Sequence, residues 1–262
     1  MGDMRVEPFG VGSVVHVVQR GVRGTAIVRD EADKSRTMRT LFYLNDTHTD
    51  EYWHRSTARL ELFERPTHWP ERNPLVRLLA CTLLDTHFHL LIEEIREGGT
   101  AKFMQRFSGS LSTYFNKKHG EKGSLFQGSY HSRTVSTDEH YRYLAFYILV
   151  KNVLDMYPGG LRAAQANFDD AWEWAKRYPY SSFRDMVAGI SSPIVDDPER
   201  LIAGIIGAGD AYKNEARELL DLHMTSHGEE FSDLMLEKWE SQTLPKNKKG
   251  RVLGEFDSPR WG

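Results

Sequence analysis

The 262-residue chain predicts an α+β fold: a ferredoxin-like antiparallel sheet in the order β-α-β-β-α-β-α, with helices on one face, followed by a C-terminal helical appendage. Three observations carry this. Residues 85–94, DTHFHLLIEE, alternate like a half-buried strand. Apolar residues recur at threes and fours from 100 to 120 and again from 137 to 154. Between these segments lie short β-branched or apolar runs bounded by Gly, Pro and Asp.

Each element follows from local chemistry. SVVHVVQR (13–20) is β-branched and leaves into a turn at Gly21 and Gly24. Residues 30–64 have helical spacing, as two helices or one broken helix, and Pro66, Pro70 and Pro74 punctuate the loop that follows. VRLLACTLL (76–84) is a buried strand that turns through Asp85 into the histidine strand, making a hairpin. The next helix places Phe103, Met104, Phe107, Leu111 and Phe115 on one stripe, with Thr100 as a cap and Gly120 as a stop. LFQGSYHSRTV (125–135) is the last strand, and Thr137 with Asp138 starts a helix that runs to about Leu154. Residues 1–185 form one domain on this reading, and 186–262 an acidic helical appendage with a basic tail.

Composition narrows the class. A 40% hydrophobic content suits a sizeable core, and the single Cys81 excludes an internal disulfide framework. MGDMRVEPFG lacks the apolar stretch of a secretory signal, and no uncharged run is long enough to span a bilayer. The expected setting is cytoplasmic and nucleoid-associated, with no membrane partner. From Lys102 to Arg133 there are six bases and one acid, interleaved with Phe103, Phe107, Tyr114, Phe115, Phe126 and Tyr130. Such a segment suits a polyanion with stackable bases, or else is a solvated helix face. Lys117, Lys118, Lys122 and Arg133 are the candidate phosphate contacts. Between Asp196 and Glu240 the balance reverses, with twelve acids against four bases.

The histidine strand raises the chemical question. Period two puts Thr86, Phe88, Leu90 and Ile92 on one face and Asp85, His87, His89 and Glu93 on the other. Two imidazoles on alternate residues can converge on one divalent cation, with a carboxylate or amide oxygen completing the set; the same pair also fits a solvated sheet face. On the last helix, His140, Tyr143, Tyr147 and Lys151 fall at i, i+3, i+7 and i+11 and share a face. A tyrosine row by itself is as consistent with packing as with chemistry.

QRGVRGTAIVRD, LLDTHFHLLIEE, MQRFSGSLSTYFNKKHGEKGSLFQGSYHSRTVSTDEHYRYLAFYILVKNVLDMYPGG and YPYSSF together resemble the REP-associated tyrosine transposases of the single-tyrosine HUH superfamily, over residues 13 to 184. The resemblance implies His87 and His89 as metal ligands for Mg²⁺ or Mn²⁺ and Tyr147 as nucleophile, with Tyr143 in support. In that family an Asn or Gln four residues after the nucleophile is the third ligand. Here Lys151 stands at that position and Asn152 follows, so Asn152 is the expected third ligand, with Glu93 as a substitute. The activity implied is cleavage and transfer of single-stranded DNA beside hairpins through a 5′-phosphotyrosine. The alternative is a domesticated transposase that binds structured DNA without cutting it. The family occurs as monomers and homodimers.

Overall fold

The computed structural model describes residues 9–188, 192–196, 202, 204 and 210–226. Its centre is a four-stranded sheet in the order β2-β3-β1-β4, formed by β1 (Val14–Arg20), β2 (Arg77–Leu83), β3 (His87–Glu93) and β4 (His131–Val135). Every pairing is antiparallel, and the register sets Val18 opposite His89 and His16 opposite both Leu91 and Arg133. The edge of β2 is not left open. Leu83 N–H donates to Tyr180 O and Ser182 N–H to Cys81 O, so the YPYSSF segment lies along it.

Between β1 and β2 lie α1 (Glu31–Leu44) and the short α2 (Trp53–Ser56); α3 (Gly99–His119) joins β3 to β4. Both α1 and α3 cover one sheet face, where Val15, Val17, Phe88, Leu90 and Ile92 meet Leu41, Phe103, Phe107 and Leu111. Burying one such side chain contributes roughly 1.5–3 kcal/mol, which is why the apolar parity of β3 faces this way. Gly120 ends α3 as expected, at φ 67°, a left-handed value that glycine adopts without steric cost. The expected Thr100 cap is corrected. The buried Glu94 carboxylate caps α3 by accepting the N–H groups of Gly99 and Thr100 at 3.1 and 2.8 Å. A carboxylate at a helix N-terminus is favoured by the orphan donors and by the dipole.

The expected α+β class and element order hold, but the second face is not open. After β4 the chain runs through α4 (Asp138–Ala145), a π-helical turn (Phe146–Lys151) and α5 (Asn152–Asp155), then α6 (Gly160–Ala166), α7 (Phe168–Ala175) and α8 (Phe183–Ala188). These pack on the other face with Val14, Leu79, Leu91 and Val135, because Phe146, Ile148, Leu149 and Val150 are apolar all round and need cover on every side. Thr137 caps α4 as its sequence suggests, its Oγ1 accepting from His140 N–H. The last described helix, α9 (Asp210–Ser226), adds Tyr212, Ala216 and Leu220 to the same core. The rest of the acidic block and the basic tail lie outside the described residues.

Candidate functional site

Two elements build the site. β3 presents His87 and His89 on the face that α4 and the π-turn cover, and their rings lie 5.0 Å apart, edge to face. The π-turn brings Tyr147 to within 5.4 Å of the His89 ring, also edge to face, and Tyr143 stands 6.2 Å from Tyr147. His89 and Tyr147 are each 1% exposed, whereas His87 is half-buried. The imidazoles and the phenol, 58 to 60 residues apart in sequence, thus meet on the sheet.

Burial and cations keep these histidines neutral. His87 is pushed down to about 3, first by desolvation and then by Arg20 and Lys151. His89 is held well below the ordinary range by burial, by the two neighbouring histidines and by the same two cations. A neutral imidazole offers a lone pair at pH 7, the state a metal requires. The His87 Nδ1 lies 2.8 Å from Thr86 Oγ1, while His89 Nε2 is buried with no hydrogen-bond partner among the described residues.

Asn152 and Lys151 take their places from the π-turn. The Asn152 N–H donates to Tyr147 O, a hydrogen bond that spans five residues instead of four. Asn152 therefore stacks above Tyr147 as a residue four positions on would in an α-helix. Its amide is fully buried, and neither Oδ1 nor Nδ2 has a hydrogen-bond partner among the described residues. Lys151 Nζ lies over the Tyr147 ring, 4.9 Å from its centroid. Imidazole nitrogens and an amide oxygen are donor types that a divalent cation accepts. Among the described residues no group of three or more His, Cys, Asp or Glu side chains is placed to hold a metal ion.

Glu93 does not join this group. It shares parity with the histidines, but four and six residues along a strand put it about 13 and 20 Å from them. It pairs instead with Arg77 at 2.5 Å. The expected DNA contacts also separate. Arg133, on β4, is half-buried beside His16 on the histidine face. Lys117 and Lys122 are exposed. Lys117 lines a groove of about 810 Å³ between α1 and α3 with Arg36, Trp53, Arg106 and Tyr114. Lys118 is committed to the fold: it binds Asp30 and Asp33, each at 2.6 Å. Phe103, Phe107, Phe115 and Phe126 are buried core and cannot stack on bases; Tyr114 and Tyr130 remain half-buried.

His16 was not among the expected site residues. Its Nε2 lies 3.0 Å from His89 Nδ1, the rings are stacked with centroids 5.2 Å apart, and it is 1% exposed. The sequence held one signal, a histidine within the apolar strand VVHVVQR, which by itself reads as core.

Residues 71–149 match the family model of the IS200-like transposases. Over that stretch, which is under a third of the chain, the sequence is similar to the IS200-like transposases. The matched stretch contains His87, His89 and Tyr147 and ends before Lys151 and Asn152. Among solved structures, the chain is similar to a REP-associated tyrosine transposase bound to a REP hairpin, at 13% identity and a TM-score of 0.39 over 75% of this chain and 92% of that one. No curated protein matches it. Thus His16 on β1, Lys151 at the end of the π-turn and Asn152 at the start of α5 lie outside the matched stretch. No described helix is long and apolar enough to cross a membrane.

Proposed function

We propose that this chain cleaves and rejoins single-stranded DNA beside hairpins, with Tyr147 as the nucleophile. The observation that carries the reading is the meeting of Tyr147 with the His87–His89 pair across the sheet. The Tyr147 oxygen attacks the scissile phosphorus, the phenol proton leaves to a base, and the 3′ oxygen departs with its electron pair. A 5′-phosphotyrosine and a free 3′ hydroxyl result. The energy of the phosphodiester is kept in the new ester, so a later attack by a 3′ hydroxyl rejoins strands without ATP, consistent with the absence of a phosphate-binding G-x-x-x-x-G-K-[ST] motif from the sequence.

The side chains divide the work. A phenol titrates near 10 and needs a positive field to act at neutral pH; Lys151 over the ring supplies part of it. His87, His89 and Asn152 would hold Mg²⁺ or Mn²⁺, which when bound polarises the phosphate and neutralises the leaving oxygen. Arg20, Lys151 and Arg133 surround the imidazoles with positive charge suited to a phosphate.

The test incubates the protein with Mn²⁺ and a pool of labelled hairpin-bearing single strands. A denaturant-resistant protein–DNA adduct is expected, lost in Tyr147→Phe and His87→Ala. No adduct from the wild type overturns the reading. A second reading, DNA binding without cleavage, is favoured by the 1% exposure of Tyr147, because the helix must yield before a strand reaches that ring. Gel-shift binding by a wild type that forms no adduct would establish it.

A further inference from the structure

The His16–His89 contact has a direction, and the direction matters. A neutral imidazole carries one N–H and one lone pair, so across the 3.0 Å contact one ring donates and the other accepts. If His89 Nδ1 donates to His16 Nε2, the lone pair of His89 falls on Nε2. If His16 donates instead, His89 Nε2 carries a hydrogen and is closed to a metal. Both outward nitrogens, His89 Nε2 and His16 Nδ1, are buried and have no hydrogen-bond partner among the described residues. Two antiparallel central strands hold the pair: Val18 faces His89 and His16 faces Leu91, which makes the two histidines diagonal neighbours on one sheet face.

We propose that His16 is a positioning residue that accepts the Nδ1–H of His89 and so presents the His89 Nε2 lone pair to the metal. This rests on the cleavage reading above, since only there does the Nε2 lone pair have a use. Metal-bound histidines commonly give their second N–H to a carboxylate or carbonyl that fixes tautomer and ring orientation, and losing that partner costs 10–100-fold in affinity. A neutral imidazole does the same here while bringing no negative charge.

Two readouts test it on the full-length protein. ¹⁵N-detected NMR at pH 7, without metal or DNA, reads the tautomer of His89. The wild type should show Nδ1–H, His16→Ala should lose that preference, and His16→Gln, whose side-chain oxygen can accept the same bond, should keep it. Titration calorimetry with Mn²⁺ should show affinity falling about tenfold or more in His16→Ala and recovering in His16→Gln. An Nε2–H tautomer in the wild type overturns the proposal and needs no variant to fold. So does an His16→Ala protein with unchanged tautomer and Mn²⁺ affinity. If the tautomers behave as expected while the wild type binds no Mn²⁺, His16 keeps its positioning role and it is the metal-dependent cleavage reading that fails.

Discussion

Mild acid should unfold this protein through its buried histidines. His16 and His87 both sit near 3 in the folded chain and return to about 6.5 when unfolded. The folded pKa is the depressed one, so between pH 6.5 and 3 the unfolded chain binds more protons and stability falls as pH drops. Each pH unit below 6.5 removes about 1.4 kcal/mol per group. At pH 5 that is about 2 kcal/mol each, and about 4 kcal/mol for the pair. His89, shifted in the same direction, adds to it. Carboxylates such as Asp33, held down at about 2, contribute only below their unfolded value near 3.8, whereas Asp185, pushed up to about 6 by burial, protonates in the fold within this window and offsets about 1 kcal/mol of the loss at pH 5. Against a typical stability of about 5–15 kcal/mol this is a large loss. Urea unfolding at 25 °C and pH 7, 6 and 5, followed by tryptophan fluorescence, measures it. His16→Gln should remove about half of the two-group loss. A stability unchanged between pH 7 and 5 refutes the argument, because these rings would then be titrating normally within the fold.

Other outcomes follow from neighbouring contacts. Asp33→Asn should cost about 3 kcal/mol in urea unfolding at pH 7, because a fully buried carboxylate that binds Lys118, His119, Tyr114 and the Arg29 N–H loses its charge. Lys117→Ala should weaken DNA binding and lower the salt slope by about one, whereas Lys118→Ala should lower stability with little change in that slope. Asn152→Ala should reduce Mn²⁺ affinity about tenfold by calorimetry while Lys151→Ala leaves it within about twofold; the reverse pattern would return the ligand role to position 151.

Much of this architecture is legible along the chain because local rules set it. The parity of DTHFHLLIEE, the Gly120 stop and the Thr137 cap each depend on a few adjacent residues, and each appears where it should. What escaped depends on pairing at a distance. His16 meets His89 only through the β1–β3 register, across 73 residues. Lys118 counts as a free base until Asp30 and Asp33 arrive from α1. Glu93 shows that a common face is not proximity, since a strand advances about 3.3 Å per residue. The π-turn is invisible to a search for 3.6-residue spacing, and it changes the meaning of the residue after Lys151.

That turn makes the spacing between the proposed nucleophile and the proposed ligand a matter of hydrogen-bond geometry and not of counting letters. One residue slipped into the helix after a tyrosine can leave a motif looking broken on paper while the backbone N–H five residues on still meets the tyrosine carbonyl. Deleting a single position between Tyr147 and Asn152 would convert the wide turn to an ordinary one and restore the familiar spacing with the same partners, so two sequences that disagree here can encode one constellation.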